Sequence, residues 1–243
     1  MQISRTGPEI SLILPAFNEV STIVATVREV IRYFESHGLR YEVIVSADGT
    51  DGTREAAREL NHAAVRVIGE NERRGKGRGI RDGVRISAGA IVGFADADNK
   101  VPIEEFDKIR PWLDEGYEVV IGSRALGQSV IERKQPLYRR IGARGFSVFM
   151  HAVVGLPGIT DTQCGFKFFT RAAALELFRR QCIDGYMYDV EILALAQRLG
   201  YRIRQVPIRW RDDGDSRLDL LSGNLRNVID IFRIRALVGG REQ

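Results

Sequence analysis

Two aspartates one residue apart, Asp96 and Asp98, stand where an apolar run ends. Ala90-Ile91-Val92-Gly93-Phe94 leads into Ala95-Asp96-Ala97-Asp98-Asn99 and then Val101-Pro102. Two hard carboxylate donors with room for water suit Mg²⁺ or Mn²⁺ carrying a phosphate ligand. In extended backbone, side chains two residues apart leave the same face, so both reach one cation. The competing reading is a surface turn in which Asp and Asn cap the helix that Pro102 opens, but such a cap uses one Asp. An EF-hand is excluded: with Asp96 as its first position, Lys100 and Val101 fall where that loop needs an oxygen ligand and a glycine.

A second candidate is Asn71-Glu72-Arg73-Arg74-Gly75-Lys76-Gly77-Arg78-Gly79. A P-loop needs Ser or Thr after its Lys, where Gly77 stands, and the dinucleotide fingerprint needs Gly at position 80, which is Ile. What remains is a helix amino terminus with Lys76 and Arg78, fit for phosphate or carboxylate, with glycines that permit close backbone approach. The plainer reading is a flexible basic turn. Asp161-Thr162-Gln163-Cys164-Gly165-Phe166-Lys167 suggests a shaped pocket wall. Asp189 and Glu191 fall in the first turn of a helix, where acids are favoured anyway.

The elements that must position these groups alternate. Ile10–Leu14 is expected as a first strand ending at Pro15, with a helix capped from Asn18–Ser21 and running to about Ser36. Tyr41–Ser46 is a second strand, closed by Asp48-Gly49-Thr50-Asp51-Gly52-Thr53, with Thr53 capping the next helix. Val65–Ile68 is a third strand and Lys76–Ser87 a helix, before the strand that delivers Asp96. This β-α-β-α-β-α-β order predicts an α/β fold with a parallel sheet, and ligands on such sheets gather beyond the carboxyl ends of the strands. A helix over Ile103–Leu113 and a strand over Glu118–Gly122 follow, the strand leading to Arg124. Phe168-Phe169 reads as a short strand before a helix from Arg171, Arg202–Trp210 as one alternating strand, and Asp219–Ala236 as a closing helix.

The 243 residues, 44% hydrophobic and 28% charged, suit one soluble domain, and disorder is excluded. Cys164 and Cys182 are too few for a disulfide framework and lack metal-site spacing, which fits a reducing compartment. No secretory signal is read at the amino terminus, and Phe146–Ile159 is too short and too interrupted to span a bilayer. The net charge of +4 is unevenly placed: Arg124, Arg133, Lys134, Arg139, Arg140 and Arg144 face only Glu132. From Gln135 to Val154 the pattern reads as an amphipathic helix, either on a membrane surface or as a core helix with a solvated face. Nucleic-acid binding is disfavoured because the basic residues lack interleaved aromatics.

These motifs, in this order, resemble the family 2 glycosyltransferases of GT-A fold, in particular the dolichyl-phosphate glucosyltransferase and polyprenyl-phosphate sugar synthase branch. The likeness runs from Ile10 to Ile234. It is carried by Pro-Ala-Phe-Asn-Glu at 15–19, Asn-Glu-Arg-Arg-Gly-Lys-Gly at 71–77, Ala-Asp-Ala-Asp at 95–98, Gly-Ser-Arg at 122–124 and, most specifically, Asp-Thr-Gln-Cys-Gly-Phe-Lys at 161–167. The resemblance implies one GT-A domain over residues 1–243, with a nucleotide-binding half at about 8–124 and an acceptor- and membrane-facing half at about 125–238. It implies that Pro15, Ala16 and Glu19 line the nucleotide pocket, that Asp48 contacts the base, and that Lys76, Ala97, Gln163 and Arg217 belong to the nucleotide-sugar site. Asp96 would face ribose and metal, Asp98 would bind the metal, Arg124 and Arg217 would hold phosphates, and Asp161, Gln163 and Asp189 would border the sugar. Asp98, Arg124, Asp161 and Asp189 are thus the expected catalytic set. The chain departs from the family pattern Asp-Asp-Gly-Ser-x-Asp, reading Ala47-Asp48-Gly49-Thr50-Asp51, and the carboxyl-terminal membrane helices that many relatives carry are not expected, which would leave surface attachment.

The implied reaction is an inverting transfer of a sugar, glucose before mannose, from a UDP-sugar to a polyprenyl (dolichyl-type) phosphate. Mg²⁺ or Mn²⁺ and cationic side chains would stabilise charge on the leaving diphosphate. A phosphate acceptor, with its second pKa about 6, attacks without a general base, whereas a hydroxyl acceptor needs Asp161, Asp189 or Glu191. The alternatives are a soluble enzyme acting on a hydroxyl, a mannosyl transferase using GDP-mannose, and a silent sugar-nucleotide binding module. The expected location is the cytoplasmic face of a membrane, with peripheral attachment and with homo-oligomerisation left open.

Overall fold

A computed structural model describes residues 7–131, 137–211 and 224–239. Seven strands form one sheet, in the spatial order β3 (Val65–Ile68), β2 (Tyr41–Asp48), β1 (Ile10–Phe17), β4 (Ile91–Ala95), β7 (Phe166–Thr170), β5 (Val119–Ser123) and β8 (Ile203–Pro207). All neighbours are parallel except β7, which runs antiparallel to both β4 and β5. This is the mostly parallel α/β sheet that the alternating pattern requires, with one reversed strand that the pattern does not reveal.

Side chains alternate across the strands, so the sheet separates two cores. Ile10, Leu12 and Leu14 of β1 and Val43 and Val45 of β2 face α1 (Ile23–Ser36), α2 (Thr53–Glu59) and α4 (Phe106–Asp114). Ile13, Ile44, Val92, Phe94 and Phe169 face the other way, toward α3 (Lys76–Ile86), α5 (Leu137–Val154), α6 (Arg171–Arg180), α7 (Tyr188–Arg198) and α8 (Asn224–Gly239). Each fully buried Leu, Ile or Phe contributes about 1.5–3 kcal/mol relative to exposure.

Several boundaries differ from the sequence reading. β1 runs through Pro15 to Phe17, because its register with β2 continues to Phe17 opposite Asp48. Its pairing with β4 stops at Ile13 opposite Phe94, so Pro15 lies where β1 has an open side and a missing N–H is tolerated. The expected strand at 202–210 splits into β8 and β9 (Arg209–Trp210). β9 leaves the main sheet to pair in parallel with β6 (Val130–Ile131). Ile103–Glu105 is a short 3₁₀ turn leading into α4. Thr53 opens α2 without capping it; its N–H and hydroxyl donate to the Asp51 carboxylate at 3.1 and 2.6 Å.

Candidate active site

The carboxyl ends of β1, β2, β4 and β5 and the start of the reversed β7 meet at one sheet edge. β4 ends at Ala95, and the backbone turns at once: the Asn99 N–H donates to the Asp96 carbonyl at 3.2 Å, and Asn99 adopts φ 54°. Asp96 and Asp98 therefore belong to a turn and not to one face of an extended strand, which corrects the sequence geometry. The turn still brings the two acids together. Burial first, and then the Asp96 charge, push the Asp98 carboxyl above its usual range, against Lys100 at 3.3 Å. Ala97 is buried, and its carbonyl accepts from the Thr26 hydroxyl at 2.8 Å, so it anchors the turn on α1.

Asp96 is pinned from two sides. Its N–H donates to the Gly165 carbonyl at 3.1 Å, and its carboxylate accepts from the Lys76 ammonium at 2.5 Å. A Cβ on Gly165 would collide with that carboxylate, so the Gly of the 161–167 stretch is required by Asp96 itself. Lys76 is the first residue of α3. Burial would lower its pKa, but Asp96 and then Asp189 outweigh it and hold the ammonium charged. The neighbouring glycine serves packing: a Cβ on Gly77 would strike Tyr188 and the Ile183 carbonyl. The loop therefore brings α3 against the 183–188 segment, a contact that glycine spacing alone does not disclose.

On the β5 side, Arg124 grips Asp161 with both ends of its guanidinium at 2.8 and 2.9 Å, and its backbone N–H adds a third bond at 2.9 Å. Burial opposes ionisation of Asp161, but Arg124 outweighs it and holds the carboxyl below its usual range. Gln163 joins through its N–H, 3.2 Å from Asp161, and Arg124 also lies 5.6 Å over the Trp210 ring. Lys167 and Asp189 form a fully buried pair at 2.5 Å, with the Cys164 carbonyl a further acceptor for Lys167 at 2.7 Å. Burial pushes Asp189 up, with Lys167 and Lys76 opposing. Burial pushes the half-buried Tyr186 hydroxyl up, with the Lys76 and Arg124 charges opposing. Burial drives the Cys164 thiol up to about 12, so it is no nucleophile.

The nucleotide side is built from the ends of β1 and β2. Pro15, Ala16 and Phe17 lie in register with Ser46, Ala47 and Asp48. Asp48 accepts from the Glu70 and Arg74 N–H groups at 3.1 and 2.8 Å, shaping the loop after β3. The Glu19 N–H donates to Thr53 at 2.9 Å, while its carboxylate accepts from Thr22 at 3.1 Å. Arg73 stacks 4.5 Å over Phe17. Glu191 is turned to the Cys182 and Ile183 N–H groups at 2.8 and 2.9 Å, outside the cluster. Arg217 lies outside the described residues, as do the side chains of Arg133, Lys134, Arg139, Arg140 and Arg144. Sequence reasoning assigned no role to Lys167. Its signal was a lone lysine in Phe166-Lys167-Phe168-Phe169, since a buried lysine requires a partner.

Among the described residues, no group of three His, Cys, Asp or Glu is placed to hold a metal. The Asp96, Asp98 pair nonetheless fits Mg²⁺ or Mn²⁺ by donor chemistry: two hard carboxylate oxygens leave positions for phosphate and water.

A family model described as Glycosyl transferase family 2 matches residues 11–178. A dolichyl-phosphate beta-glucosyltransferase of Trichomonas vaginalis is 32% identical over 237 residues, covering 92% of this chain and 70% of the relative. The dolichyl-phosphate beta-glucosyltransferase of Drosophila melanogaster is 34% identical over 251 residues, covering 95% and 76%. The crystal structure of glucosyl-3-phosphoglycerate synthase from Mycobacterium tuberculosis with Mn²⁺, uridine diphosphate and phosphoglyceric acid is similar with a TM-score of 0.72 at 25% identity, covering 98% of this chain and 81% of that one.

Proposed function

From the premise that the chain belongs to glycosyl transferase family 2 and has the GT-A fold, we propose that this hexosyltransferase moves glucose from UDP-glucose to a polyprenyl phosphate of dolichyl type. The observation that carries the acceptor assignment is the state of the three carboxylates that could serve a hydroxyl. Asp161 is clamped by Arg124, Asp189 by Lys167, and Glu191 by two backbone amides. A hydroxyl acceptor needs a general base, whereas a phosphate monoester with a second pKa about 6 is already an anionic nucleophile. The dolichyl-phosphate relatives support the same class of acceptor.

In this reading Arg124 orients the incoming phosphate from its Asp161 clamp, and Lys76 at the amino end of α3 faces the departing diphosphate. Asp96 and Asp98 would hold Mg²⁺ or Mn²⁺, which supplies Lewis-acid stabilisation of the leaving group. Displacement on the far face of an alpha-linked donor gives a beta product, the linkage in the relatives' names. The Mn²⁺ and uridine diphosphate bound by the solved neighbour support the donor and the cation.

The acceptor's lipid tail requires a membrane surface, and the paired helices α5 and α8 suit one. Val148, Phe149, Ile229 and Phe232 are exposed there, with the Phe149 and Phe232 rings edge to face at 6.3 Å, and Arg226, Arg233 and Arg235 are also exposed. Among the described residues, no helix is long and apolar enough to cross a membrane; in this reading the docking is peripheral, on the cytoplasmic face. Incubation with labelled UDP-glucose, a short polyprenyl phosphate and Mn²⁺ should carry label into the organic phase. Label appearing only on a water-soluble hydroxyl acceptor would overturn the assignment.

A further inference from the structure

The acidic turn after β4 already carries its own cations. Lys76 lies 2.5 Å from Asp96, and Lys100 lies 3.3 Å from Asp98. Two carboxylates and two ammonium groups sum to zero formal charge. A dication added to that set leaves an excess of two positive charges in a part-buried site, where charge imbalance is costly. A nucleoside diphosphate brings the missing negative charge to the same sheet edge.

We propose that Lys76 and Lys100 are resident counter-ions that make cation binding at Asp96 and Asp98 conditional on the diphosphate of the nucleotide. The inference rests on the nucleotide-sugar reading of this site. Lys76 has two alternative anionic partners. Without nucleotide it neutralises Asp96; with nucleotide its charge is drawn to the diphosphate, and the Asp96 oxygen is released to the cation. Its position favours the exchange, because it is the first residue of α3, at a helix amino terminus where a phosphate is favoured. Asp96 does not move with it, being tethered by its N–H to Gly165 and walled by that glycine's backbone. Linkage makes the effect reciprocal: the cation must tighten nucleotide binding by the same factor as the nucleotide tightens cation binding.

The test is a Mn²⁺ titration followed by the electron paramagnetic resonance of free Mn²⁺, with and without UDP, and a calorimetric UDP titration with and without Mn²⁺. In the wild type each ligand should tighten the other about tenfold, within the usual range of coupling. Lys76→Met should shift the two affinities in opposite directions: Mn²⁺ alone binds several-fold tighter, UDP binds weaker, and the coupling shrinks. Lys100→Met, a second variant that covers misfolding of the first, should likewise tighten Mn²⁺ alone. Unchanged or weaker Mn²⁺ binding in both variants, or wild-type Mn²⁺ affinity indifferent to UDP, overturns the inference and leaves the donor assignment standing. Failure of UDP to bind in any condition overturns the donor assignment, and the inference with it.

Discussion

The Lys167 ammonium lies 2.5 Å from the Asp189 carboxylate with both side chains shut away from solvent, tying the reversed strand β7 to the first turn of α7. Neither charge has bulk water to fall back on, so each is tolerable because of the other. Lys167→Met should cost about 3–5 kcal/mol, the range for stranding one member of a buried pair. Lys167→Met combined with Asp189→Leu should recover a good part of that. Urea denaturation of the two single variants and the double variant measures it, and additive losses would contradict the pairing.

Arg124 and Asp161 should show their coupling in acid. The Asp161 pKa is lower folded than unfolded, so the pair's stabilisation is complete above the unfolded value of about 3.9 and is lost as pH falls through the folded value. Asp161→Asn should therefore lower stability at pH 7 and flatten the acid limb below about pH 4, by up to about 1.4 kcal/mol per pH unit. Arg124→Lys, which cannot grip both carboxylate oxygens, should retain the fold and lose most activity. An unchanged acid limb in Asp161→Asn would remove the coupling.

Asp98 is held in a site that costs stability when its carboxyl is ionised. Its environment disfavours the charged form through burial and the neighbouring Asp96. Asp98→Asn should leave the melting temperature of the metal-free protein equal or raised by about 2–4 °C, the shift expected for about 1 kcal/mol at this size, while transfer is abolished. Wild-type activity should disappear in EDTA and return with Mn²⁺. A melting temperature several degrees lower, or activity in EDTA, would contradict the assigned role.

The exposed aromatic pair on α5 and α8 should govern membrane binding. Phe149→Ser with Phe232→Ser should cut sedimentation with anionic vesicles several-fold without lowering the melting temperature, since both rings are substantially exposed. Raised salt should weaken the wild type only in part, because screening acts on charge and leaves apolar insertion untouched. Equal sedimentation of the wild type and the double variant would remove these rings from the membrane face.

Local patterns in the sequence determined much of this protein. The alternation of apolar runs with helical segments located β3 to the residue and most other elements to within a few residues. Hard donors at a strand end singled out Asp96 and Asp98 as candidates, and motif order singled out Arg124, Asp161 and Asp189. Such features are legible because they depend on neighbours a few positions away. Tertiary structure decided the rest, because it depends on partners far along the chain. β7 inserts between β4 and β5 in the reverse direction, which brings Gly165 onto Asp96 and Lys167 under Asp189. The two acids meet through a turn closed by Asn99, not through strand periodicity. Gly77 answers to Tyr188, 111 positions away, by the close approach of two backbones. Which carboxylates are already held by a cation or an amide, and hence which acceptor chemistry the site can serve, is a property of burial and pairing that no local spacing encodes.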